Sequence, residues 1–149
     1  MLMLKKMYRL LQKEDFRQHP LRAVLRRAYW RLHWRLFPNR PFIVPFYGDM
    51  KIRLSNSSAS SGIYLNDGFS DKSIAEKFIR FLKPGMVAVD CGAHIGEYTL
   101  LFAHLVGSEG KVIAFEPDPR SFEILIENVS VNHSVINEKH LFTILVAER

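Results

Sequence analysis

The sequence predicts an α/β fold, a parallel sheet wound with helices, preceded by a helical arm and a small β-hairpin. Three observations predict it. From residue 86 onward, short apolar runs alternate with stretches of helical length and period, the pattern of right-handed βαβ units. The first of these runs leads into a glycine bend that opens a helix, VAVDCGAHIGEYT at residues 87–99. The positive charge is confined elsewhere. Residues 1–41 carry 11 of the 21 Lys/Arg and 2 of the 15 Asp/Glu, a net +9, while the remainder carries 10 and 13, a net −3. The basic character thus belongs to an arm and not to the sheet.

The chain has 149 residues, 48% hydrophobic and 24% charged, which suits a core of about one domain. A single cysteine, Cys91, excludes an internal disulfide and makes a reducing compartment the default. No apolar run reaches the roughly 20 residues of a membrane span. The opening MLMLKKMYRLLQKEDF is broken by charge too often for a signal peptide, so a cytoplasmic protein is the simplest expectation.

The arm comprises residues 1–41. A short helix is expected near residues 2–13 and a longer one after Pro20, where Leu21, Val24, Leu25, Ala28, Leu32 and Leu36 recur at helical spacing. Arg22, Arg26, Arg27, Arg31 and Arg35 fill the other faces, and Pro38 and Pro41 stop it. Three partners suit such an arm. Packing on a further domain is favoured. An anionic membrane surface comes next, helped by Trp30, Trp34 and Phe37. Nucleic acid is the least favoured.

Residues 42–69 form the second region. Residues 42–47, Gly48-Asp49 and residues 50–54 read as strand, tight turn and strand, with Pro45 placing the first strand at an edge. The small polar run at 55–62 reads as a loop, with a short strand at 63–65.

The third region, 70–149, should hold the sheet. Ser73 and Glu76 have the spacing of a capping box for a helix whose apolar face is Ile74, Phe78, Ile79 and Leu82. Strands follow at 86–91, 111–115 and 141–147, with helices at 98–106 and 121–131 between them. The runs 86–89 and 112–115 are nearly all apolar, which predicts strands covered on both faces. With three such strands and a last residue, Arg149, two beyond the final one, the expected sheet is incomplete.

The chemistry sits at the bend. Ligands of open α/β sheets bind beyond the carboxyl ends of the strands. Gly92 permits a sharp turn and Gly96 a close approach of the following helix, whose N-terminus carries unpaired N–H groups. A dinucleotide fingerprint would need glycine at positions 92, 94 and 97, but His94 and Glu97 occupy two of them. The loop that binds S-adenosylmethionine (SAM) has an acid two residues before its first glycine and glycines at alternate positions. Asp90, Gly92 and Gly96 fit it, with His94 in place of the middle glycine. Asp90 can face the cationic part of SAM. Glu116 closes the next strand, 20 residues after Gly96, where a carboxylate can accept from both ribose hydroxyls. Pro117 and Pro119 stiffen that turn, and Asp118 can cap the next helix or lie near the adenine.

These strings resemble the FkbM-type family of SAM-dependent methyltransferases. The resemblance runs from PFIVPFYGDMKIRL through FLKPGMVAVDCGAHIGEYTLLFAHLVGSEGKVIAFEPDPRSFEILIENVSVN, about two thirds of the chain. It implies a Rossmann-like fold, SAM as cofactor, and O-methyl transfer to a hydroxyl of a sugar, glycan or natural product. It also implies that Asp90, Gly92 and Gly96 are the loop positions and Glu116 the ribose acid. Ala93, His94, Tyr98, Thr99 and Asp118 complete the expected cofactor-binding set. His94 reads first as a tolerated loop residue, Tyr98 as packing, Cys91 as strand packing, and Asn128 and Asn132 as partners for backbone groups at a helix end. No general base and no metal set is assigned. The family's later strands are not in this sequence, so two alternatives stand beside the enzyme. One is a truncated or split subunit whose sheet a partner chain completes. The other is a basic adaptor that uses the arm on a membrane surface.

Overall fold

The computed structural model describes Tyr8 and residues 14–136. The expected helix near 2–13 and strand at 141–147 lie, but for Tyr8, outside the described residues. The chain divides into two compact units. One takes residues up to Arg40 together with Asn56–Ser70; the other takes Pro41–Ser55 and the residues from Asp71 on. Among the described residues no helix is long and apolar enough to cross a membrane.

The first unit is helical. A short helix α1 (Glu14–Gln18) leads into α2 (Pro20–Leu36), which has proline in its first turn, where the missing N–H costs no bond. The inward face of α2 holds Ala23 and Trp30, and the Trp30 ring stacks on Tyr64 at 5.4 Å. Arg26 also faces inward, with its guanidinium over the Tyr64 ring and bonded to Asp67 and to the Tyr64 carbonyl. Trp30 is therefore spent on packing and is not available to a membrane, contrary to expectation. The outward face is apolar: Leu21, Val24, Leu25, Leu32 and Leu36 are all exposed.

The loop at 55–62 and the strand at 63–65 are both corrected. Residues Ser58–Leu65 form a helix, α3. Ser57 caps it, its Oγ accepting from the Ser60 N–H at 3.2 Å. Small residues alone read as a loop because serine competes for backbone groups. Here that competition is settled at the cap, and Ser60 and Ile63 bury one side of the short helix.

The second unit holds two sheets of two strands each. β1 (Phe42–Pro45) and β2 (Lys51–Leu54) form the expected antiparallel hairpin. Phe46 N–H bonds to the Met50 carbonyl at 2.8 Å, which makes that pair a hydrogen-bonded one. By alternation the Pro45–Lys51 pair is not hydrogen-bonded, so the proline sits where no donor is needed.

After the hairpin, helix α4 (Lys72–Phe81) is capped by Asp71 and not by the expected Ser73. The Asp71 carboxylate accepts from the Ser73 and Ile74 N–H groups and from the Ser73 hydroxyl. These bonds hold its pKa below the usual carboxylate range. Aspartate and serine both cap well; here the Asp71 carboxylate takes the Ser73 and Ile74 N–H groups and engages the Ser73 hydroxyl as well, leaving Ser73 inside the helix.

β3 (Val87–Cys91) and β4 (Lys111–Phe115) pair in parallel, with Asp90 opposite Ala114. Helices α5 (Glu97–Val106) and α6 (Pro119–Val131) follow these strands in turn. Helix α5 packs on both strands and is buried nearly all round, through Leu100, Leu101, Phe102, Ala103 and Val106. In parallel pairing the even-numbered residues of both strands share one face, and Ala88, Val112 and Ala114 on it are buried. The expectation that both faces are covered fails on the other side. Val87 is 64% and Val89 53% exposed, and Cys91 is exposed with them. An apolar run measures what a strand can bury, not what lies against it.

Candidate functional site

The site is built where β3 ends. From Cys91 the chain bends through Gly92, Ala93, His94 and Ile95 to Gly96, and α5 begins. Three alternate residues of this bend, Gly92, His94 and Gly96, have φ of 83°, 51° and 91°. The left-handed conformation is natural for glycine and costs roughly 1 kcal/mol or more for other residues. His94 thus adopts the backbone of the middle glycine it replaces.

The bend is stitched to the end of β4. The Gly92 and Ala93 N–H groups both donate to the Phe115 carbonyl at 2.9 Å. The His94 N–H donates to Glu116 Oε2 at 2.6 Å, and the Asp118 N–H to Glu116 Oε1 at 2.8 Å. Glu116 is only 5% exposed, so its carboxylate is desolvated and held by backbone donors on both oxygens. Each oxygen keeps acceptor capacity for a further donor.

Asp90 occupies the same face, one strand away. Its Oδ2 accepts from the Thr99 hydroxyl at 2.6 Å. Gly96 is the N-cap of α5 and has no side chain to cap with, so Asp90 serves the first turn of that helix from the preceding strand. Burial pushes the Asp90 carboxyl above its ordinary pKa, opposed by the bonds from Thr99 and reinforced by the negative charge of Glu116. The two acids therefore feel one another across a common rim.

The two glycines have different surroundings. A Cβ at Gly96 would lie 2.5 Å from Leu125 Cδ1 of α6, so a larger residue there must displace the fully buried Leu125 side chain. A Cβ at Gly92 would meet nothing within 4 Å, so open space lies above the bend. The buried Glu116 and the largely desolvated Asp90 lie on either side of the bend.

The remaining expected residues divide. Ala93 is buried under the bend and His94 is half-buried in it. Asp118 caps α6, accepting from the Ser121 N–H at 2.9 Å, which lowers its pKa. Thr99 is fully buried and turned to Asp90. Tyr98 packs edge-on with Phe78 of α4 at 5.6 Å between ring centres. Cys91 lies on the open face of the sheet and not in packing, as its odd-numbered position dictates. Two connections were not legible in the sequence: the service of Thr99 to Asp90, and a bond from Asn128 to the Ile95 carbonyl at 2.8 Å. The N-x-x-x-N spacing of Asn128 and Asn132 was the one available sign of the second.

Residues 90–146 match the methyltransferase FkbM domain. The FkbM match begins at Asp90 and takes in the whole bend and Glu116. Solved structures agree on the fold. TYW2 of Pyrococcus horikoshii, in complex with MeSAdo, is 18% identical with a TM-score of 0.52, over 90% of this chain and 50% of that one. A transferase of the same organism is 19% identical with a TM-score of 0.51, over 85% of this chain and 49% of that one. Trm5b of Pyrococcus abyssi gives 19% and 0.51 over 70% of this chain and 28% of that one. The chain is an α/β protein with the SAM-methyltransferase fold, spanning half or less of the length of these three. Of these three, the TYW2 structure holds MeSAdo.

Proposed function

We propose that the FkbM segment binds SAM and that the protein transfers a methyl group from it to a hydroxyl of a small molecule or glycan, such as a sugar or natural product. One observation carries this reading. Asp90 and Glu116 share a rim beside a bend whose three alternate residues hold left-handed backbone, with open space above Gly92.

In this reading Glu116 accepts from the ribose hydroxyls, Gly92 and Ala93 leave room for the methionine part, and Asp90 faces the cationic end. Bound SAM supplies an electrophilic methyl group for in-line displacement by an acceptor oxygen. The chain's own contribution is orientation, an effect worth roughly 7–11 kcal/mol in favourable cases. No group among the described residues is assigned as general base.

Isothermal titration with SAM tests the reading. Saturable binding is expected, weakened at least about tenfold in Glu116→Ala, which removes two charge-assisted bonds to the ribose. A folded protein giving no heat with SAM overturns it.

A second reading concerns the arm. The exposed stripe Leu21, Leu25, Leu32 and Leu36 is flanked by exposed Arg22, Arg31 and Arg35, and α2 holds no acidic residue. That combination favours an anionic membrane surface. Sedimentation with vesicles containing phosphatidylglycerol should be lost in the double variant Leu25→Asp/Leu32→Asp and at high salt; equal binding to neutral vesicles argues against it. The exposed Val87 and Val89 support a third element, further polypeptide on the open sheet face. Dimerisation or aggregation relieved by Val89→Lys would support it, and a monomer indifferent to that change would not.

A further inference from the structure

Helix α6 carries Asn128 and its C-cap Asn132 one turn apart on one face, both fully buried. Together they do the work of an absent strand. Asn132 Oδ1 accepts from the Lys51 N–H at 2.8 Å, and its Nδ2 donates to the Lys51 carbonyl at 2.7 Å. Asn128 repeats the pattern two residues along β2, accepting from the Arg53 N–H at 2.5 Å and donating to the Arg53 carbonyl at 3.1 Å. Lys51 and Arg53 are alternate residues, so both present backbone groups to the same edge of β2, the edge that β1 leaves free.

The two asparagines differ in their last bond. Asn132 spends its second N–H on the Asn128 carbonyl of its own helix, at 2.6 Å. Asn128 spends its second N–H on the Ile95 carbonyl, at 2.8 Å. Ile95 lies between His94 and Gly96, the two left-handed residues nearest α5. A side-chain amide has one acceptor end and one donor end. Arg53 offers both an N–H and a carbonyl, so the hairpin fixes which way the Asn128 amide faces, and that in turn aims its second N–H at the loop.

We propose that Asn128 is a positioning residue for the cofactor loop, holding the Ile95 peptide so that His94 and Gly96 keep their left-handed backbone, and that docking of the hairpin is coupled to cofactor affinity through it. This deepens the SAM reading and rests on it for the affinity part only. The loop part stands without any ligand.

The test is a matched pair, Asn128→Ala and Asn132→Ala. Each removes two bonds to β2 and one more, but only the first releases the loop. Backbone amide exchange across residues 92–97, measured without cofactor, should quicken about tenfold in Asn128→Ala and stay within about twofold of the unmodified chain in Asn132→Ala. The dissociation constant for SAM, measured well below the unfolding transition, should rise about tenfold in the first and about twofold or less in the second. Melting temperature should fall in both. Equal loop exchange in the two variants overturns the proposal and leaves Asn128 a structural residue. Should the alanine variant fail to fold, Asn128→Ser, which keeps a small polar group in the cavity, takes its place under the same criteria. If the unmodified chain binds no SAM but loop exchange still separates the pair, the positioning role stands and the cofactor reading falls.

Discussion

The glycine bend and the helical arm use charge in opposite ways. At the bend, Asp90 and Glu116 are withdrawn from water and pinned by Thr99, His94 and Asp118 before any ligand arrives. Along the arm, Arg26 and Arg27 turn inward onto Tyr64 and Phe16 and pair with Asp67 and Asp15, while Arg31 and Arg35 stay in water. Desolvated acids respond strongly to an incoming cation, because the local dielectric is low and no reorganisation is needed. Solvated arginines respond weakly and only to a dense negative surface. The difference separates a site from a surface: the bend is preorganised and the outer arm is not.

The largest expected effect tests that preorganisation. Gly96→Ala sets a methyl 2.5 Å from Leu125 at a φ of 91°, and should destabilise the fold by about 2–4 kcal/mol in chemical denaturation. Gly92→Ala, with open space around it, should cost only about 1 kcal/mol while weakening SAM. Equal losses at the two positions would mean that backbone angle alone, and not the packing of α6, fixes the bend.

Next comes Asp90. Its carboxyl is raised by burial, so the folded state binds a proton more readily than the unfolded one. Stability should therefore fall as pH rises from the ordinary carboxylate value through the raised one. Asp90→Asn should remove that slope and raise the melting temperature at neutral pH, while weakening SAM about tenfold through loss of the charge. A melting profile between pH 3 and 8 that is identical in both proteins contradicts the desolvation.

Smaller effects separate the two sides of the arm. Arg26→Ala loses the ring contact and its bonds to Asp67 and the Tyr64 carbonyl, and should cost about 1 kcal/mol, since Asp67 is half in solvent. Arg31→Ala should stay within about 0.5 kcal/mol. If Arg31 cost as much as Arg26, the outer face would not be free.

Much of the second unit was legible because its signals are local. The strand at 111–115 follows from its continuous apolar run, the hairpin from two short strand-forming runs around Gly48-Asp49, and the Asp90–Gly92–Gly96–Glu116 spacing from what a bend and a strand end require. The helix at 58–65 is not legible in sequence, because Ser57 as a cap and Ser58 as a first helical residue look alike there. Asp71 and Ser73 are alike in the same way: both are good caps, and only the spacing of Ser73 to Glu76 separates them in sequence, while the structure caps the helix at Asp71.

By itself the sequence determined the order of elements between Asp71 and Val131, the glycine bend and the acid that closes the following strand, all properties of residues near one another along the chain. Only the tertiary structure decided that Val87 and Val89 face outward, that Trp30 is buried under Tyr64, that Thr99 turns to Asp90, and that Asn128 spans from Arg53 to Ile95. Each of these depends on which distant segment arrives to cover a face or accept a bond, and periodicity along a chain carries no record of that.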